Sequence, residues 1–261
     1  MKDCLIVRGV SIGAGRPKII APIMGRTMEE LEMQARQIAR ARADVAEWRA
    51  DAFEGAQNED ETRAALRLLR DALGEKPILY TVRTRAQGGE IEMSPDLYKS
   101  MTLCAARSGL ADLIDVEIFA RGANAQTLVA QLRAAGALVV GSHHEFARTP
   151  PLEEMIDCLE KIRAAGCDVL KLAVMPRCPE DVLALLSATA RMRARCPDRL
   201  LITMAMGALG AVSRVAGETF GSCMTFGCVD LASAPGQLPV DRLCAVLDVL
   251  HESLSSDSPP V

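Results

Sequence analysis

Aromatic side chains are scarce in this chain: one tryptophan, two tyrosines and five phenylalanines, 3% of 261 residues. A protein that reads bases by stacking them on rings has little to work with here. Blocks of like charge are missing too. The 30 basic and 34 acidic residues are interspersed, with a formal net charge of -4, so no electrostatic footprint for nucleic acid is expected. The nine cysteines contain no C-x-x-C pair, which removes the usual zinc and disulfide spacings, and they read as small buried hydrophobes in a reducing compartment. The longest uncharged apolar-rich run, Leu200 to Val212, is too short and too glycine-rich to span a bilayer. The start, MKDCLIVRG, lacks the apolar stretch and small-residue cleavage site of a secretory signal. A cytoplasmic protein with no membrane or nucleic-acid partner is the expectation.

What the chain does have is alternation. Short aliphatic runs are separated by stretches with helical spacing. Strands are expected at Ile19 to Met24, Val45 to Arg49, Pro77 to Arg83, Leu113 to Ile118, Leu138 to Ser142, Val169 to Val174, Leu200 to Met206 and Cys223 to Gly227. Helices are expected from Met28 to about Arg42, with Thr27 and Glu30 as a capping box, over 59 to 73, from Pro95 after Ser94 to Arg107, and over 124 to 135. Further ones follow Leu152, cover 179 to 194 and 210 to 217, and end the chain around Leu243 to Leu250.

Eight strands alternating with about eight helices is the (β/α)8 count. The rival, a doubly wound sheet, would place a glycine-rich phosphate loop after its first strand, where this chain has Met24-Gly25-Arg26-Thr27. Gly13-Ala14-Gly15 is read as the turn of a hairpin between Cys4 to Val7 and Ile19-Ile20, able to plug the bottom of a barrel. One domain over 1 to 252, hairpin at about 4 to 18 included, with a disordered tail over 253 to 261, is the expected organisation.

Active sites of such barrels lie at the C-terminal strand ends. The polar or soft residues there are Glu47, Arg49, Arg83, Glu117, His143, His144, Lys171, Met204, Met206 and the loop Ser233 to Gln237. Lys171 is the most informative, because it interrupts Val-Leu-Lys-Leu-Ala-Val, a strand otherwise apolar on both faces. An ammonium between apolar walls is driven toward the free amine that attacks carbonyls. An ion-paired structural lysine is the bland alternative.

His143 and His144 stand side by side, and alternation sends only one of them toward the pocket, where it can shuttle protons. Joined to Glu47, Glu117 or Glu145, a histidine could instead ligate a metal, but no ligand spacing supports it. Arg49, Arg83 and Arg214 are candidate anion or hydroxyl binders, with Glu47 available to pair with Arg83 across the neighbouring strand. The Ala232 to Gln237 segment reads equally as a lid and as an ordinary loop.

Taken together, the chain resembles the type I 3-dehydroquinate dehydratases. The shared stretches are Glu47-Trp48-Arg49 with Asp51, Thr81-Val82-Arg83 leading to Gly88-Gly89-Glu90, and Ser142-His143-His144-Glu145-Phe146. They continue with Lys171 to Pro176, Thr203 to Gly207, Ser213-Arg214, and Thr225-Phe226-Gly227 through Ala232-Ser233-Ala234-Pro235-Gly236-Gln237. The resemblance implies a barrel closed below by the hairpin, commonly a dimer, with no metal or organic cofactor.

It implies that Lys171 forms a Schiff base with the C3 ketone of 3-dehydroquinate, a small hydroxy-keto carboxylate, while His144 moves protons. It also implies substrate contacts at Glu47, Arg49 and Arg83 for the ring hydroxyls, Met204 and Phe226 for the walls, and Arg214, Ser233, Ala234 and Gln237 for the carboxylate and lid. Two positions depart from the family pattern: Gln87 where a glutamate orients the catalytic histidine, and His143 where asparagine is common. Aldolase-type carbon–carbon cleavage through the same lysine, and a ligand-binding barrel without chemistry, are the alternative functions. A place in aromatic amino-acid biosynthesis or in quinate breakdown would suit the same reaction.

Overall fold

The structure, a computed structural model, describes residues 4–120, 124–230 and 234–256. The chain opens on an antiparallel hairpin, β1 (Leu5–Val7) and β2 (Val10–Ile12). Its turn is Arg8-Gly9, both at positive φ (46° and 79°), and the following Gly13-Ala14-Gly15 only links the hairpin to the first barrel strand. The expected turn was therefore one segment too late. A two-residue turn with both centres left-handed matches the twist of the strands it joins, and glycine carries the second centre without a Cβ clash.

Eight parallel strands follow: β3 (Lys18–Ile23), β4 (Val45–Arg49), β5 (Ile78–Thr81), β6 (Leu113–Glu117), β7 (Leu138–Glu145), β8 (Val169–Val174), β9 (Leu200–Ala205) and β10 (Met224–Cys228). They pair in chain order, and β10 pairs back onto β3 with Met224 opposite Lys18. The ring closes where Leu201 bridges Ser222 and the Cys223 N–H donates to the Leu201 carbonyl at 2.8 Å. A two-residue strand, β11 (Leu238–Pro239), lies along β10. The expected (β/α)8 barrel is the fold.

Helices α1 (Met28–Arg40), α2 (Glu59–Leu73), α3 (Pro95–Arg107), α4 (Ala125–Ala134), α5 (Leu152–Ala164) and α6 (Pro179–Arg195) each return the chain to the next strand. The segment near 210 to 217 resolves into two short helices, α7 (Ala211–Val215) and α8 (Gly217–Phe220), before α9 (Val240–Ser256). Thr27 caps α1, accepting from the Glu30 N–H, yet the Glu30 carboxylate reaches back one residue further than in a capping box, to the Arg26 N–H at 2.7 Å. α9 runs to Ser256, so residues 253 to 256 form its last turn rather than the start of a tail, and 257 to 261 lie outside the described residues.

Period-two alternation sorts every strand into two layers. On β8, Leu170, Leu172 and Val174 point outward into the core shared with the helices, against residues such as Leu159, Ile162 and Leu185. Val169 and Ala173 point inward. Inside, Leu5, Val7 and Ile12 of the hairpin meet Ile20, Val45, Leu79, Leu113, Val140, Val169 and Met224, an apolar plug that closes the barrel floor. At roughly 1.5–3 kcal/mol per buried aliphatic side chain, this plug gives the site above it a rigid base.

Candidate active site

One step above the apolar floor the inward positions become polar. Alternate strands of such a barrel supply side chains at one level, and here β4, β6, β8 and β10 supply Glu47, Asp115, Lys171 and Phe226. Lys171 is 3% exposed, with Nζ 3.1 Å from Asp115 Oδ2, 3.8 Å from Glu47 Oε1 and 4.7 Å from the centre of the Phe226 ring. The walls around the ammonium are thus not apolar, as the strand pattern suggested. Two carboxylates and a ring face satisfy a charge that would be costly to bury alone.

Glu47 also accepts from the Thr81 hydroxyl at 2.9 Å, and it does not pair with Arg83 as expected. Arg83 turns instead to β6 and β7, donating to Asp115 (2.9 Å), Glu117 (3.0 Å) and the Ser142 hydroxyl (3.0 Å). Asp115 Oδ1 also accepts from Ser142 Oγ at 2.6 Å. Burial opposes ionisation of Asp115, but Arg83 and Lys171 outweigh it and draw its pKa down to about 2. Arg49 holds Asp51 through two bonds of 2.8 Å, and Asp51 accepts from the Arg83 and Glu90 backbone N–H groups. Both arginines line the cavity while their forks hold carboxylates at its mouth.

Arg214, from α7, differs. It is 1% exposed, donates to the Pro235 carbonyl at 3.0 Å and touches Met204 Sδ at 4.0 Å, and its Nε has no partner among the described residues. No carboxylate pairs with it among those residues, and burial lowers its pKa to about 10. A buried guanidinium with open donors is a ready seat for a ligand carboxylate.

His143 and His144 belong to β7 itself, which runs to Glu145, three residues past the expected end. His144 faces the cavity. Gln87 Oε1 accepts the His144 backbone N–H at 2.9 Å and lies 3.0 Å from ring Nδ1. Because one atom of Gln87 accepts the backbone N–H, that atom is the oxygen, so Nδ1 is the protonated ring nitrogen and Nε2 carries the free lone pair. Burial, then the positive charges of Arg83, Lys171 and Arg49, hold the imidazole well below its usual pKa, leaving it neutral. His143 points away, its ring edge-on to Phe119 at 5.0 Å, as alternation requires.

A cavity of about 180 Å³ joins these groups. Glu47, Arg49, Arg83, Gln87, His144, Lys171 and Arg214 line it with Met204, Phe226, Ala234 and Gln237, and Ser233 lies outside the described residues. Met206, Ala173, Phe146, Gly88 and Pro235 complete the lining. Sequence reasoning passed over Asp115, although it sits two residues before Glu117 on the same face of β6, and over Phe146, which stacks on His144 at 6.3 Å between ring centres. Among the described residues no cluster of three or more His, Cys, Asp or Glu could hold a metal, and no helix is long and apolar enough to cross a membrane.

Residues 19–254 match the family model for type I 3-dehydroquinase. The chain is 42% identical to a 3-dehydroquinate dehydratase of Bacillus licheniformis over 97% of this chain and 100% of that one. Among solved structures it resembles the type I 3-dehydroquinate dehydratase of Clostridium difficile, determined with covalently modified comenic acid, at a TM-score of 0.93 and 39% identity, covering 97% of this chain and 100% of that chain. The 3-dehydroquinate dehydratase of Geobacillus kaustophilus aligns with a TM-score of 0.92 at 36% identity, over 98% of each chain. In sequence and in fold, the chain belongs to the type I 3-dehydroquinase family.

Proposed function

We propose that this protein is a hydro-lyase that converts 3-dehydroquinate to 3-dehydroshikimate through a Schiff base on Lys171, with His144 as acid and base. The observation that carries this reading is the placement of one buried lysine, one neutral histidine and one arginine without a carboxylate partner among the described residues around a single small cavity. The Clostridium difficile relative, solved with a covalently modified organic acid, supports covalent chemistry in the family.

In this reading Lys171 gives its ammonium proton to His144, and the free amine attacks the C3 ketone. His144 returns that proton to the carbinolamine oxygen, which leaves as water and leaves a protonated imine. That cation makes the C2 hydrogen acidic, and His144 Nε2 takes it as a proton. The enamine returns its electrons as the C1 hydroxyl departs with the proton from His144, and water then hydrolyses the imine and frees the lysine. One water is lost overall.

Arg214 is the seat for the substrate carboxylate, beside Ala234 and Gln237 of the loop, and the family resemblance assigns Ser233 to the same task. Glu47, Arg49 and Arg83 meet the ring hydroxyls, and Met204 and Phe226 wall the ring. The protein works as a homodimer in the cytoplasm and serves the shikimate pathway.

The test is borohydride reduction with 3-dehydroquinate or its product, followed by intact mass and peptide mapping. A single adduct on Lys171 is expected, and its absence would sink the imine. NMR of the products separates water loss from carbon–carbon cleavage, because a pyruvate-like fragment would belong to an aldolase.

A further inference from the structure

Of the two carboxylates near Lys171 Nζ, Glu47 lines the cavity and Asp115 does not. Asp115 is fully buried behind the lysine, closer to it than Glu47 is (3.1 Å against 3.8 Å), and unable to meet the substrate. Its other oxygen is pinned by Arg83 and Ser142, so the carboxylate is fixed while the lysine changes from ammonium to imine.

We propose that Asp115 is the counter-ion of the protonated Lys171 imine, holding its single N–H and keeping the electron sink charged. This rests on the Schiff-base reading above. When the amine's lone pair bonds to the ketone carbon, one of its two hydrogens moves to the oxygen and His144 supplies the second, so the oxygen leaves as water, the nitrogen keeps one hydrogen and a positive charge, and Asp115 neither gains nor loses a proton. A protonated imine has one N–H where the ammonium had three. Directing that one at Asp115 turns the substrate carbon the other way, into the cavity that His144 lines.

The low pKa of Asp115 agrees with a permanently charged partner. The other charged or titratable groups around this centre are Glu47 and Arg49 from β4, Arg83 after β5, Glu117 from β6, His144 from β7 and Arg214 from α7, with Tyr98 of α3 and Cys167 before β8 close enough to act on Asp115. Three of these are arginine cations and Asp115 is the carboxylate nearer to Nζ, so a neutral Asp115 would leave the iminium in more positive surroundings and make it easier to discharge.

Asp115→Asn keeps the shape and removes the charge. The alkaline limb of the kcat profile, where the iminium loses its proton, is expected to move to lower pH by about 1–3 units. Ser142→Ala, which removes a hydrogen bond to Asp115 without removing charge, is expected to leave that limb in place. A reduced kcat in Asp115→Asn with an unmoved limb would mean a packing role and overturn the proposal.

Wild-type enzyme supplies a second arm that does not depend on the variant folding. The absorbance of the product adduct is titrated with pH beside the butylamine imine of the same ketone. Loss of the proton at a clearly higher pH in the enzyme is expected, and loss at the same pH would overturn the proposal. Absence of any borohydride-trapped adduct on Lys171 would overturn the imine reading itself, whereas an adduct with unmoved pH behaviour would remove Asp115 alone.

Discussion

Gln87 Oε1 grips His144 twice, through the backbone N–H at 2.9 Å and ring Nδ1 at 3.0 Å. The grip sets the tautomer and the aim of the imidazole without lending it negative charge. A carboxylate at this position would stabilise the imidazolium, and an amide does not.

Gln87→Glu should therefore raise the pKa of His144. The base form would then be lost at a higher pH on acidification, so the acidic limb of kcat/KM moves toward neutral pH. A pH–rate profile of both proteins checks this, and coincident limbs would place Gln87 outside the proton-transfer network.

Lys171→Met should abolish turnover, by more than about 10⁴-fold, because binding remains and the covalent route does not. Circular dichroism should still report a folded barrel, since methionine suits the inward face of β8 and Asp115 keeps Arg83. Activity within tenfold of the wild type would rule out imine catalysis.

Folding should weaken in acid through Asp115. Its carboxyl titrates near 3.8 when unfolded and at about 2 when folded, so its contribution is complete above the unfolded value and is lost as pH falls through the folded one. The amount is on the order of 2 kcal/mol. Asp51, also lowered against its burial by the Arg49 pair, adds in the same direction. Urea midpoints should fall between about pH 5 and about pH 2, and a flat profile there would contradict both pairings.

How much of this was legible in the sequence depends on the range of the signal. β8 was readable residue for residue, because a strand buried on both faces leaves a lysine conspicuous in Val-Leu-Lys-Leu-Ala-Val. The hairpin turn was misplaced because Arg8, a residue that seldom takes positive φ, supplies half of it. Asp115 went unnoticed for a different reason. An aspartate in a strand reads as ordinary alternation, and the lysine that gives it meaning lies 56 residues away. Arg83 stood out as a candidate site residue, but its partners on β6 and β7 come from barrel register, which composition and motif spacing do not encode.

Arg214 offers a test in which stability and function pull apart. Its guanidinium is buried with an unpartnered Nε and no carboxylate among the described residues, so the free enzyme bears a desolvated charge that a bound carboxylate would balance. Arg214→Met should remove that cost and raise the melting temperature of the free enzyme by about 2–4 °C for each kcal/mol recovered. The same change should lower kcat/KM for a carboxylate substrate by roughly ten- to a hundredfold, the worth of a charge-assisted hydrogen bond of about 1.5–3 kcal/mol. Thermal melts with and without product make the comparison direct, since product should stabilise the wild type and leave the variant almost unmoved. A variant that is less stable and still protected by product would show that Arg214 is structural and that the carboxylate sits elsewhere.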